Sequence, residues 1–128
     1  MIQSGSVLKV IDNSGARTVC CIKVNKGYRS RYAGIGDTVL ISVKTLRTKR
    51  RDKVKIKKGE MTLALIVRQR VPIKLFSGDS FSYPEGTSVV LLNKQGKFLG
   101  TKVFGSVNKM FRLTKFLKLT SLCAGVSN

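Results

Sequence analysis

Apolar and polar residues alternate with a period of two through most of the first hundred positions. Such alternation is the mark of strands that bury one face. The spacing predicts strands over Val7 to Ile11, Thr18 to Lys26, Thr38 to Leu46, Met61 to Val71, Ser88 to Leu92 and Lys97 to Phe104, the last broken at Gly100. Within the second, Val19, Cys21 and Lys23 fall on one side, and Cys20, Ile22 and Val24 on the other. Turn clusters separate the runs: Asp12-Asn13-Ser14-Gly15, a loop over Gly27 to Asp37, Ser77 to Ser80, Tyr83 to Gly86, and a turn at Gly96. After Gly105 the texture changes. Met110, Leu113 and Leu117, with Phe116, Leu119 and Leu122, suit a short helix within Lys109 to Leu122. Short strands, glycine-rich turns and a small helical end predict an all-β fold, a closed barrel.

The stretch from Lys44 to Lys58 interrupts the alternation with nine Lys/Arg in fifteen residues, opposed by Asp52 alone. Val54 and Ile56 alternate there with Lys53, Lys55 and Lys57, which suits a two-stranded ribbon leaving the sheet with its cations outward. The length of 128 residues suits one domain over 1–128, with a barrel at about 1–105, the ribbon at about 44–60 and a helical segment at about 106–128.

Composition changes the picture through charge. Lys and Arg total 25 against 6 acids, a formal charge of +19. Self-repulsion at that density favours a polyanionic partner, and nucleic acid is the obvious one. Candidate phosphate and base contacts are Arg17, Arg29, Arg31, Tyr32, Lys44, Arg47, Lys49, Arg50, Arg51, Lys53, Lys55, Lys57, Lys58, Arg68 and Arg70. Tyr28-Arg29-Ser30-Arg31-Tyr32 interleaves rings that stack on bases with forks that grip phosphate. Arg68 and Arg70 share a face of one predicted strand, and Lys115 with Lys118 a face of the predicted helix. With no groove-entering helix, structured RNA fits better than DNA.

Other chemistry is thinly supplied. No His is present, and the acids are scattered, so an enzyme is not expected and no catalytic residue is assigned. Three cysteines, Cys20, Cys21 and Cys123, make neither a metal-ligand spacing nor a disulfide framework. No metal and no cofactor are expected, and the thiols point to a reducing compartment. No apolar run approaches the roughly 18 residues of a membrane span. The N-terminus resembles neither a signal peptide nor a transit helix, so either the protein is made where it works or a presequence has been removed.

The stretches VIDNSGART (10–18), RYAGIGD (31–37), VKIKKGE (54–60), ALIVRQR (64–70), VVLLN (89–93), GTKVFGSV (100–107) and KFLKLTSL (115–122) occur in an order and spacing that resemble one family. It is the universal large-subunit ribosomal protein family conventionally numbered fourteen. The resemblance implies a small five-stranded β-barrel with a protruding basic ribbon and a short helical C-terminal segment. It implies a structural constituent of the large subunit that binds its ribosomal RNA and touches neighbouring ribosomal proteins. It also implies bridges to small-subunit ribosomal RNA, and docking of a ribosome-silencing factor. The family's positions for that intersubunit face fall on Thr101, Lys102, Lys118 and Ser121, with Lys102 standing for the usual Arg. The ribbon is longer than in bacterial relatives, Ser106 replaces a Pro, and Cys123-Ala124-Gly125 replaces an Ala-Pro-Glu ending. Such drift around a bacterial-type frame suggests a mitochondrial ribosome in the matrix, the alternatives being a plastid or the bacterial cytoplasm. A free-standing nucleic-acid chaperone or translation factor with a barrel fold is the competing function.

Overall fold

Five of the period-two segments do close on one another. The computed structural model describes residues 2–47, 55–74, 78, 80–84 and 86–127. The barrel strands are β1 (Val7–Val10), β2 (Ala16–Val24), β3 (Thr38–Leu46), β4 (Met61–Arg68) and β7 (Ser88–Leu92). Between β4 and β7, the two-residue strands β5 (Ile73–Lys74) and β6 (Ser80–Phe81) form a separate small pair. Antiparallel pairing runs from β1 through β2, β3 and β4 to β7, and a parallel pairing of β7 with β1 closes the ring. Closure leaves this sheet no free edge.

Alternation sorts the side chains as the pleat requires. Leu8, Val10, Val19, Cys21, Val39, Ile41, Val43, Ala64, Ile66, Val89 and Leu91 fill the interior. In β2 the parity breaks. A register shift between Cys21 and Lys23 adds a residue, so Val24 turns inward and Lys23 outward.

β4 and β7 bury both faces, which explains their nearly unbroken apolar runs. Their outer residues Leu65, Val67, Val90 and Leu92 pack under the C-terminal segment, against Val103, Val107, Phe111, Phe116 and Leu119. That segment comprises β8 (Val103–Asn108), a 3₁₀ turn over Lys109–Leu113, helix α1 (Lys118–Leu122) and β9 (Cys123–Ser127), the last parallel to β8.

Three expectations are corrected here. Lys97 to Phe104 is not one strand: Phe98 makes a single bridge to Leu92, and the strand starts at Val103 and continues to Asn108. The interruption is Gly100, where an added Cβ would lie 2.7 Å from Asn13 Oδ1. The helix is also divided. Thr114 is extended, its hydroxyl donates to the Phe111 carbonyl and accepts from the Phe116 N–H, and the chain restarts as α1. Leu113 is consequently 93% exposed and Leu117 faces outward, while Phe111, Phe116 and Leu119 carry the packing. The described end of the basic run, residues 55–60, forms a bend and turn rather than a strand, and Ile56 inserts into the barrel interior. Residues 48–54, with Lys49, Arg50, Arg51 and Lys53, lie outside the described residues.

The turn after β1 ties these parts together. Asp12 is fully buried. Its Oδ1 accepts from the Ser14 N–H at 3.1 Å and the Ser14 hydroxyl at 2.6 Å, and its Oδ2 accepts from the Leu91 N–H at 3.0 Å. The β1–β7 ladder ends just before, with the Ile11 N–H donating to the Val89 carbonyl. Asp12 thus supplies with its side chain the next acceptor that β7 needs. Each hydrogen bond to a charged group contributes about 1.5–3 kcal/mol when its loss strands a buried partner. Asp12→Ala should therefore lower the unfolding free energy by roughly 3 kcal/mol or more, and Asp12→Asn by less, in urea denaturation followed by circular dichroism.

Candidate nucleic-acid interface

Two basic clusters occupy opposite ends of the β2–β3 hairpin. Ala16 pairs with Leu46 at one end and Val24 with Val39 at the other. Eight residue steps at about 3.3 Å put those ends roughly 25 Å apart.

The first cluster surrounds the Asp12 turn and the base of the basic run. Arg17 and Lys44 stand exposed on neighbouring strands, each one position from the Thr18–Thr45 pair, whose hydroxyls are hydrogen-bonded. Lys57 and Lys58 are exposed beside them, because the Gly59 N–H and the Glu60 carbonyl pair with Val43. Glu60 accepts from the Lys57 backbone N–H at 2.9 Å, leaving the ammonium group outward. Arg47 and Lys55 are partly engaged with the protein itself. Arg47 donates to the Val10 carbonyl at 3.3 Å and lies 5.4 Å from the centre of the half-exposed Phe104 ring. The Lys55 ammonium donates to the Leu99 carbonyl at 3.0 Å, while its backbone N–H donates to that of Ser14. These bonds seat both arms of the basic run on the barrel mouth.

Asn13 reaches across the same end. Its Oδ1 accepts from the N–H groups of Thr101 at 2.7 Å and Lys102 at 3.2 Å, and its Nδ2 donates to the Thr101 hydroxyl at 2.8 Å. Thr101 and Lys102 are therefore presented in a clasped loop with their side chains exposed. Val103 lies opposite Cys123 in the β8–β9 register, so the residues just before each strand approach one another. Lys118 and Ser121 lie on α1, immediately before β9, and both are exposed. The 101–102 loop precedes β8 and α1 precedes β9, the two strands that pair in parallel from Val103 and Cys123.

The second cluster is the loop that joins β2 to β3. Tyr28, Arg29, Arg31 and Tyr32 are all exposed, and Arg70 follows β4 at this end of the barrel. The loop returns through Gly34 to Asp37, where the Asp37 carboxylate accepts from the Gly34 N–H at 2.8 Å and pairs with Lys26 at 3.4 Å. The GIGD segment thus anchors a loop.

Arg68 departs from the expected contact face. It is 6% exposed, and its Nε donates to the Ser106 carbonyl at 2.9 Å, with a second guanidinium nitrogen on the Phe104 carbonyl. The Tyr83 ring lies 5.9 Å away. Arg68 therefore fastens β8 to the outer face of β4, whereas Arg70 stands beyond the strand, so the pair does not share a face. Gly105 passes so close, at φ +80°, that any Cβ there would collide with this guanidinium.

The cysteines are free, and burial pushes the Cys21 thiol above its ordinary range, with Cys20 beside it adding to the effect. A thiol held protonated inside a barrel is a packing group, not a nucleophile. Among the described residues, no group of three or more His, Cys, Asp or Glu side chains is placed to hold a metal ion.

Against this geometry, the sequence profile of the family described as ribosomal protein L14p/L23e matches residues 1–127. The chain belongs to that family. It is a structural constituent of the large ribosomal subunit, binds ribosomal RNA, and has ribosomal proteins as partners. The family is structural rather than catalytic, and the chain is ribosome-associated. Within this L14p/L23e chain, the motif VIDNSGAR corresponds to the Asp12–Asn13 clasp, and RYAGIGD to the anchored return of the exposed loop.

Strand alternation puts Arg68 with Arg70, and the two should separate cleanly. Arg68→Ala should destabilise the fold by roughly 2–4 kcal/mol, since it removes the charged hydrogen bonds of a buried side chain to the Ser106 and Phe104 carbonyls. Arg70→Ala should stay within about 0.5 kcal/mol of the parent. Paired urea titrations read both values.

Proposed function

We propose that this L14p/L23e chain grips large-subunit ribosomal RNA through both barrel ends and presents Thr101, Lys102, Lys118 and Ser121 to the small subunit. The observation that carries the reading is the Asn13 clasp. It fixes the 101–102 loop to the same turn that holds Arg47 and Lys55 of the basic run, which supports a shared surface for exposed cations and the 101–102 loop. Arg17, Lys44, Lys57 and Lys58 offer the phosphate contacts at that end, and Lys49, Arg50, Arg51 and Lys53 of the basic run are further candidates. Arg29, Arg31, Tyr32 and Arg70 serve the far end. Arg47 and Lys55 work mainly as supports, since their polar groups already meet backbone carbonyls.

The mechanism is positional. Cations fixed on a closed barrel neutralise RNA phosphates without a conformational search, and counterion release supplies much of the free energy. On the intersubunit face, the same loop and helix bridge to small-subunit RNA. A silencing factor that covered Thr101 and Lys118 would block joining. Divergence of the Cys123–Gly125 ending within an otherwise bacterial-type frame supports a mitochondrial ribosome as the setting.

Two measurements test this reading. Replacing Lys44, Lys57 and Lys58 with Ala should leave the melting curve unchanged and reduce the salt slope of RNA binding. The expected reduction is roughly 0.7–0.9 for each phosphate no longer neutralised, and an unchanged slope means these ammonium groups only face water. Thr101→Ala with Lys118→Ala should leave co-sedimentation with large subunits intact while lowering the yield of joined ribosomes. Normal joining by the double variant removes these residues from the bridge.

A further inference from the structure

The loop between β2 and β3 does more than add charge. It forms one wall of an open groove whose lining includes Gln3, Ser4, Lys23, Tyr28, Arg29 and Arg31. The opposite wall is fixed by backbone bonds: Ile2 and Ala33 exchange two hydrogen bonds, the Gly5 N–H donates to the Cys21 carbonyl, and the Cys21 N–H donates to that of Ser6. Of these six side chains, three are cations, two are neutral hydrogen-bonding groups and one is an aromatic ring, and no acid is among them. Arg29 adopts a left-handed backbone conformation, φ 59°, within the turn that follows Gly27. Its guanidinium lies 5.2 Å from the Tyr28 ring centre, while the tyrosine remains 89% exposed.

An exposed ring backed by a guanidinium is a stacking platform. A base reaches such a ring only when its own face is free, as in a loop, a bulge or a single strand. Duplex RNA offers phosphates but no base face. We infer that this groove takes one unpaired nucleotide of RNA, its base stacked on Tyr28, its phosphates met by Lys23, Arg29 and Arg31, and its base edge within reach of Gln3 and Ser4. The inference rests on the RNA-binding reading above and specifies the substrate at the far barrel end. The two ends then divide the work: flat cationic strands meet helical backbone near Lys44 and Lys57, and the groove meets a nucleotide out of the stack.

Fluorescence anisotropy with the full chain tests this, using a labelled ten-nucleotide oligouridine and a blunt ten-base-pair RNA duplex as probes. Tyr28→Ala should weaken oligouridine binding about 5- to 10-fold, leave the duplex within about two-fold, and leave the salt slope of both unchanged. Tyr28→Phe should retain the parent affinity, because the ring and not the hydroxyl stacks. Arg31→Ala should instead lower the oligouridine salt slope by roughly 0.7. Equal affinity of parent and Tyr28→Ala for oligouridine, or equal weakening for both probes, overturns the stacking site while leaving duplex binding to stand. Failure of the parent to bind either probe overturns the two-ended grip proposed above and this site with it.

Discussion

A single buried carboxylate holds the barrel's weakest seam. The parallel β1–β7 pairing that closes the ring has only two registered residue pairs, Lys9 with Ser88 and Val10 with Val89. Beyond Val10 the chain must turn away, and a β7 donor would be stranded in the apolar interior without a partner. Asp12 fills that gap and also braces its own turn through Ser14. Everything at this end of the molecule depends on the turn so formed. Asn13 clasps the 101–102 loop, the Gly15 carbonyl accepts from the Arg47 N–H, and the Ser14 carbonyl accepts from that of Lys55. Loss of Asp12 would therefore loosen both the 101–102 loop and the base of the basic run.

A chain with net charge +19 must keep its cations apart and still hold them in place. The barrel meets both demands by separating them along its length and giving some of them internal work. Arg68, Arg47 and Lys55 bond to backbone carbonyls, which dissipates charge into the fold and stiffens its edges. Arg17, Lys44, Lys57, Lys58, Arg29 and Arg31 remain exposed, where phosphate is the natural counter-charge. Side-chain bonds to backbone carbonyls separate these roles, and residue type does not.

That distinction limits what the sequence makes legible. Period-two alternation locates β3 and β7 to the residue, because β3 buries one face through Val43 and β7 buries both faces throughout. It misjudges β2 after Cys21, since a one-residue shift reverses every following side chain. It places Arg68 outward, because nothing local reveals that β8 lies across β4. The expected helix fails at Thr114, whose hydroxyl offers the backbone an alternative to continuing, a competition common to Ser and Thr. β9 has no pattern to find: Cys-Ala-Gly-Val-Ser becomes a strand only because β8 is there to pair with. For the candidate surface, the DNSG and GIGD turns are visible as turns, but their function as clasps appears only in three dimensions. The family resemblance, in contrast, is legible from the motifs, and the match over residues 1–127 bears it out.

The most direct measurement is a cryo-electron microscopy reconstruction of the large subunit assembled with this chain. RNA phosphates are expected within about 4 Å of Lys57, Lys58 and Arg31, a nucleobase against Tyr28, and Thr101 with Lys118 on the surface that meets the small subunit. A map with both barrel ends facing solvent, or with the 101–102 loop buried in large-subunit RNA away from the joining surface, would contradict the assignment of these faces.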